Sequence, residues 1–217
     1  MTELVEALVK SPRLPGYVEE LQQLLAKENA QRERFYEELT EDIKAEFING
    51  EVIVQSPAKY EHTNAVKLLL TLLHAHVERH QLGFVAAEKV LVCLPRNDYE
   101  PDICFFGKLK AAQLQRGQMR FPAPDFIAEV LSESTEARDR GLKFEDYAAK
   151  GVGEYWLVDP AKEQVERFLL ERGRFEARGQ YANGMVRSEI VSGCEIPVRA
   201  IFDARLNLTA LTSIVSS

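Results

Sequence analysis

The sequence predicts an α/β fold carrying an N-terminal helical arm, and three observations predict it. Residues 124–160 read as strand, polar loop, amphipathic helix, strand, the alternation from which layered α/β domains are built. Residues 61–80 hold Leu68, Leu69, Leu70, Leu72 and Leu73, a helix apolar over much of its circumference that must be covered on most sides. Two apolar runs, 83–94 and 103–106, flank the turn-rich PRNDYEPD; that connection is too short for a crossover helix, so the two strands pair antiparallel.

The bulk properties set limits. A chain of 217 residues can bury a substantial core. Its 46% hydrophobic and 28% charged residues are ordinary for a globular protein. A net charge of -7 argues against a generally basic surface, without excluding nucleic acid, because the local footprint and bound cations decide that contact. Cys93, Cys104 and Cys194 are odd in number and form no CxxC, which reads as free thiols in a reducing compartment. The start, MTELVEALVKSPRLPG, lacks the apolar core and cleavage pattern of a signal peptide. No run approaches the roughly 18 apolar residues of a membrane span. The expectation is a cytoplasmic protein without membrane contact.

In chain order, residues 1–16 read as a poorly determined lead-in, with Pro12 and Pro15 breaking any helix. Residues 17–39 carry Val18, Leu21, Leu24, Leu25, Phe35 and Leu39, an amphipathic helix that packs on its own domain or on a second copy. Asn49-Gly50 marks a turn before a strand at 51–54, with Glu46 just ahead of it. Residues 107–123 contain no acid but hold Lys108, Lys110, Arg116 and Arg120, either a solvated loop with a short helix or a cationic patch for phosphates. After the strand 125–131, Ser132, Ser134 and Thr135 are helix-start signals. Asp139, Lys143 and Tyr147 then recur at i, i+4 and i+8, on one helix face. Beyond the strand EYWLVDP follow a hairpin around ERGR, short strands around Asn183-Gly184, and a mixed tail from Ile201. The division expected is an arm at 1–40, a body at 41–200 and a tail at 201–217.

Glu129 interrupts the apolar run FIAEVL, and a carboxylate there is costly unless something positive compensates it. Asp102 opens the strand after Pro101. If the two strands are neighbours, the acids converge at one end of the sheet, and two oxygen ligands with waters and a substrate phosphate suit Mg²⁺ or Mn²⁺. Structural ion pairing or turn capping is the competing reading. Lys143 stabilises a phosphorane or orients a nucleophile in the first case, and pairs with Asp139 or Asp146 on a helix surface in the second. His62, opening the long helix, is a base, a phosphate contact or a local hydrogen bonder. Glu46 and Glu88 read as structural. His76 and His80 share a helix face but lack a third ligand for zinc. There is no GxSxG, Walker loop or GxGxxG, and Trp156 reads as core.

The order EFINGEVIVQSP, a helix opening with His62, PDICFF, PDFIAEVLSEST followed by Asp139, Lys143 and Tyr147, then GVGEYWLVDP, resembles the Uma-type putative restriction endonuclease family of the PD-(D/E)XK nuclease superfamily. The resemblance spans residues 40–175. It implies a restriction-endonuclease-like core with a mixed central β-sheet flanked by helices. It implies that Asp102 and Glu129 hold Mg²⁺ or Mn²⁺, and that Lys143 supplies the lysine which the superfamily pattern places where Leu131 stands here. Glu46, His62, Asp139 and Tyr147 are implied as accessory residues. The function implied is a metal-dependent DNA endonuclease, expected as a homodimer; the alternative is a catalytically silent nucleic-acid-binding or interaction module on the same fold.

Overall fold

The computed structural model of the chain describes residues 3–40 and 43–216. Its helices are α1 (Glu3–Val9), α2 (Leu14–Glu38), α3 (Tyr60–His80), α4 (Lys108–Ala111), α5 (Glu136–Asp139), α6 (Leu142–Ala149) and α7 (Ala204–Ser216), with a 3-10 turn at Val198–Ile201. The strands of the first half are β1 (Ala45–Ile48), β2 (Glu51–Val54), β3 (Gly83–Ala87), β4 (Leu91–Cys93), β5 (Asp98–Tyr99), β6 (Ile103–Gly107) and β7 (Arg120–Phe121). Those of the second half are β8 (Phe126–Val130), β9 (Glu154–Asp159), β10 (Gln164–Glu171), β11 (Arg174–Tyr181), β12 (Met185–Arg187) and β13 (Glu195–Pro197).

The central sheet has six strands in the order β11-β10-β9-β8-β6-β3. Strands β8 and β9 pair in parallel, joined through α5 and α6, while the other neighbours are antiparallel. A parallel pair needs such a crossover, and the loop and two helices between Val130 and Glu154 supply it. Both β8 and β9 are buried along their whole length, which explains why both are mostly apolar in the sequence, with Glu129 inside the first. A second sheet, β2-β1-β5-β4-β7, and the short pair β12-β13 complete the strands.

Side-chain alternation gives the central sheet two buried faces. On one, Phe105, Ala128 and Trp156 meet Leu69, Leu72 and Leu73 of α3, with Ile201 and Ala210 behind. On the other, Cys104, Ile127 and Leu157 meet Tyr147 of α6 and Ile48, Val92 and Tyr99 of the second sheet. The leucine-dense helix is thus enclosed between the sheet and α7, as its composition requires.

Five elements depart from the sequence reading. The run 83–94 is two strands in different sheets, because Glu88 and Lys89 take positive φ angles of 55° and 34° and turn the chain. The lead-in is helical: α1 occupies Glu3–Val9, and Pro15 lies in the first turn of α2, where its missing N–H has no helical acceptor to lose. The helix bearing Asp139, Lys143 and Tyr147 is broken at Arg140-Gly141 into α5 and α6. Arg120-Phe121 forms a short strand, β7, beside β4. The tail is helix α7, tied to α3 by Asn207, whose side-chain amide donates to the carbonyls of Leu68 and Ala200 at 2.9 Å each.

The arm is divided along its length. Phe35 is buried and stacks on Phe47 with centroids 5.8 Å apart, and Arg32 Nε donates to Asp98 Oδ2 at 2.6 Å. Nearer the N-terminus, Val18, Leu21, Leu24 and Leu25 of the same helix are exposed.

Candidate active site

Strand register assembles the site. Ala87 faces Ile103, and Ile103 faces Ala128. One step further along, Glu88, Asp102 and Glu129 form a row across three adjacent chain segments. Two bonds fix this row: Glu88 N–H donates to the Asp102 carbonyl at 3.1 Å, and Asp102 N–H donates to Glu129 Oε2 at 3.2 Å. By alternation, Asp102 lies on the face of Cys104 and Glu129 on the face of Ile127, which is the same face. Like charges directly opposite one another destabilise a sheet; cationic side chains fill the gaps.

The inner cation is Lys143. Its ammonium lies 2.9 Å from Glu46 Oε1, 3.1 Å from Glu129 Oε1 and 3.4 Å from Asp139 Oδ1, and all four side chains are buried. The Asp139 contact is an ion pair without hydrogen-bond geometry. Tyr147 O–H donates to Glu129 Oε1 at 3.1 Å, so Lys143 and Tyr147, one turn apart on α6, grip the same oxygen. Arg138 adds a contact to Glu46 Oε2 at 3.4 Å. Burial pushes Glu129 up to about 8, against the pull of Lys143 and with the help of the Asp139, Asp102 and Glu46 charges. Burial likewise raises Asp139, opposed by Lys143. Lys143 itself is carried well above the ordinary lysine value: burial opposes its charge, but Glu129, Glu46 and Asp139 outweigh burial.

The outer side of Asp102 is different. Its Oδ2 accepts the Val130 N–H at 2.8 Å, while Oδ1 faces His62 Nε2 at 3.3 Å and Lys44 Nζ at 3.6 Å. Lys44 also donates to Glu88 Oε2 at 2.5 Å. Burial alone would raise Asp102, but the His62 hydrogen bond and the His62 and Lys44 charges hold it below its usual value. The same contact raises His62 despite burial. The Glu88 side chain is 46% exposed, which opens this side to solvent.

The structure therefore brings together Asp102, Glu129, Lys143, Glu46, Asp139, Tyr147 and His62, all named from the sequence. It adds Lys44 and Glu88, which sequence reasoning missed or set aside. The run 107–123 lies elsewhere: Lys108 and Lys110 follow Gly107, at the far end of β6 from Asp102, and Lys110 pairs with Asp125 at 2.7 Å. Arg120 lies over the Tyr36 ring at 4.7 Å. These cations do not border the acidic row.

A mixed sheet with two acids at one end of neighbouring strands and a lysine from the following helix defines a restriction-endonuclease-like architecture. The crystal structure of a "putative nuclease belonging to DUF820" from Anabaena variabilis ATCC 29413 has this fold, with a TM-score of 0.67 over 82% of this chain and 96% of that one at 16% identity. Residues 31–199 match the family Uma2, described as "Putative restriction endonuclease", and the chain belongs to that family. An uncharacterized protein, sll1609, of Synechocystis sp. (strain ATCC 27184 / PCC 6803 / Kazusa) is 31% identical over 147 residues, covering 67% of this chain and 80% of that protein. No described helix is long and apolar enough to cross a membrane.

Proposed function

We propose that the protein is a metal-dependent endonuclease that hydrolyses DNA phosphodiester bonds, with Asp102 and Glu129 holding Mg²⁺ or Mn²⁺ and Lys143 stabilising the transition state. The observation that carries this reading is the placement of both carboxylates on one face of adjacent segments, bonded to each other through Asp102 N–H and to Lys143 through Glu129. The donor set fits a hard divalent ion, because carboxylate oxygens are its preferred ligands. A bound ion supplies Lewis-acid polarisation and a water of lowered pKa.

The chain's own residues do the rest. Glu129 would hold the ion as its carboxylate, and Tyr147, donating to Oε1 at 3.1 Å, keeps that group in orientation. Lys143, already charged, offsets negative charge gathering on the phosphate. His62, 3.3 Å from Asp102 Oδ1, would pass a proton. Two copies related by a two-fold axis bring two such sites to the two strands of a duplex, and the exposed half of α2 is the surface available for that contact. The experiment is cleavage of plasmid DNA with Mg²⁺ or Mn²⁺: Asp102→Ala abolishes it, and unchanged cleavage by that variant sinks the assignment.

One observation favours a second reading, a catalytically silent nucleic-acid-binding module on this fold. Lys143 is 3% exposed and shared among three carboxylates, so it reaches a phosphate only after that cluster rearranges. Titration with divalent ions separates the readings: the silent module shows no binding that depends on Glu129.

A further inference from the structure

We propose a second cation position on the solvent side of Asp102, formed by His62 Nε2, the Glu88 carboxylate and Asp102 Oδ1. It takes a nitrogen-accepting divalent transition ion such as Mn²⁺ in preference to Mg²⁺, and Lys44 fills it in the ion's place. It extends the metal-dependent reading above and rests on that reading only through Asp102, the residue that both positions share.

Three observations carry it. His62, Glu88 and Asp102 each offer one ligand atom, and these atoms lie within 4.8 Å of one another. An ion bound at about 2.0–2.2 Å to each needs only a small closure of the exposed Glu88 side chain. Second, the position is already occupied by positive charge. Lys44 Nζ sits 2.5 Å from Glu88 Oε2 and 3.6 Å from Asp102 Oδ1, bridging two neighbouring acids of the row. Unlike Lys143, which three buried carboxylates enclose, Lys44 is partly exposed and has the exposed Glu88 as its nearer partner. Third, His62 holds Nε2 3.3 Å from Asp102 Oδ1, so one ring nitrogen already faces the position.

The ligand chemistry decides which ion. Mg²⁺ favours all-oxygen octahedral shells and keeps its waters, whereas an imidazole beside two carboxylates suits transition ions. Glu129 belongs to the other position. Its Oε1 accepts from Lys143 and Tyr147 and its Oε2 from Asp102 N–H, so its oxygens face the interior cluster.

The test is Mn²⁺ binding to the full chain, by calorimetry and by pulsed EPR, which detects a directly bound imidazole through its ¹⁴N coupling. Wild type is expected to show that coupling and Glu129→Gln to retain it. His62→Gln loses the coupling, and Glu88→Gln weakens this Mn²⁺ class by about tenfold or more. Lys44→Ala removes the competing ammonium and tightens binding, a gain that misfolding cannot mimic. Mn²⁺ bound without ¹⁴N coupling, unchanged affinity in Glu88→Gln, or no Mn²⁺ bound at all overturns the proposal. DNA left uncut by protein that shows the coupling overturns the nuclease reading and leaves this one standing. Metal-dependent cleavage with all Mn²⁺ binding lost in Glu129→Gln does the reverse.

Discussion

Lys143 stands among three buried acidic side chains that would otherwise face one another, so the fold depends on it. Removing one partner of a buried ionic cluster leaves uncompensated charge and costs about 3–5 kcal/mol. Lys143→Met is expected to lower the stability read from urea denaturation by that order; a loss under about 1 kcal/mol contradicts the cluster described. Glu129 carries the pH dependence. In the fold it keeps its proton up to about pH 8, whereas in the unfolded chain a glutamate loses it near about 4.3. The folded state therefore binds the extra proton between those values. That contribution is fully present below the unfolded value and is lost as pH rises toward 8, by at most about 1.4 kcal/mol per pH unit. Glu129→Gln is neutral throughout, so its urea midpoint should fall less steeply than wild type between pH 5 and 8. Parallel slopes for the two proteins contradict the raised value. Asp102 runs the other way: held low by His62 and Lys44, it contributes stability above its unfolded value that is lost in acid.

Among the elements, α2 shows one helix serving two surroundings. Its C-terminal half is built into the domain through Phe35 on Phe47 and Arg32 on Asp98, whose side chain is fully buried. Arg32→Ala leaves that aspartate without its cation, an expected cost of about 3–5 kcal/mol in urea denaturation; a change within about 0.5 kcal/mol, the usual range for surface substitutions, shows the arm to be loosely attached. Much of this level was legible in the sequence. Periodicity and leucine density marked α3, Asn49-Gly50 marked the β1–β2 turn, and ERGR marked the β10–β11 hairpin. The acid inside the apolar run FIAEVL and the i, i+4, i+8 spacing of Asp139, Lys143 and Tyr147 pointed to a polar site at one end of the sheet, even though the helix is broken at Gly141. What stayed hidden depends on long-range pairing. The run 83–94 reads as one strand because nothing local announces two consecutive left-handed residues at Glu88 and Lys89, neither of them Gly or Asn. Without that bend, Glu88 has no visible place beside Asp102. Lys44 was invisible for the same reason: its partner acids are distant in sequence.

At the scale of the whole molecule, the central sheet buries both faces, and the acidic row stands at one end of its strands, buried at Asp102 and Glu129 and exposed at Glu88. The fold delivers the residues and the net charge of -7 delivers no general attraction for DNA, so the proposed activity leans on bound cations and on pairing of two copies. The exposed Val18, Leu21, Leu24 and Leu25 are the proposed contact. Sedimentation at micromolar concentration should report a dimer for wild type and a monomer for a Leu21→Glu, Leu25→Glu double variant. A monomeric wild type contradicts the arm's assigned role while leaving the site untouched.

The most direct measurement is conversion of supercoiled plasmid to nicked or linear DNA, followed side by side for wild type, Asp102→Ala and Glu129→Gln, with Mg²⁺, with Mn²⁺ and with chelator. The account predicts cleavage by wild type only when a divalent ion is present, and none by Asp102→Ala. Cleavage that survives Asp102→Ala or chelation, or wild type that binds the ion and leaves DNA intact, contradicts it.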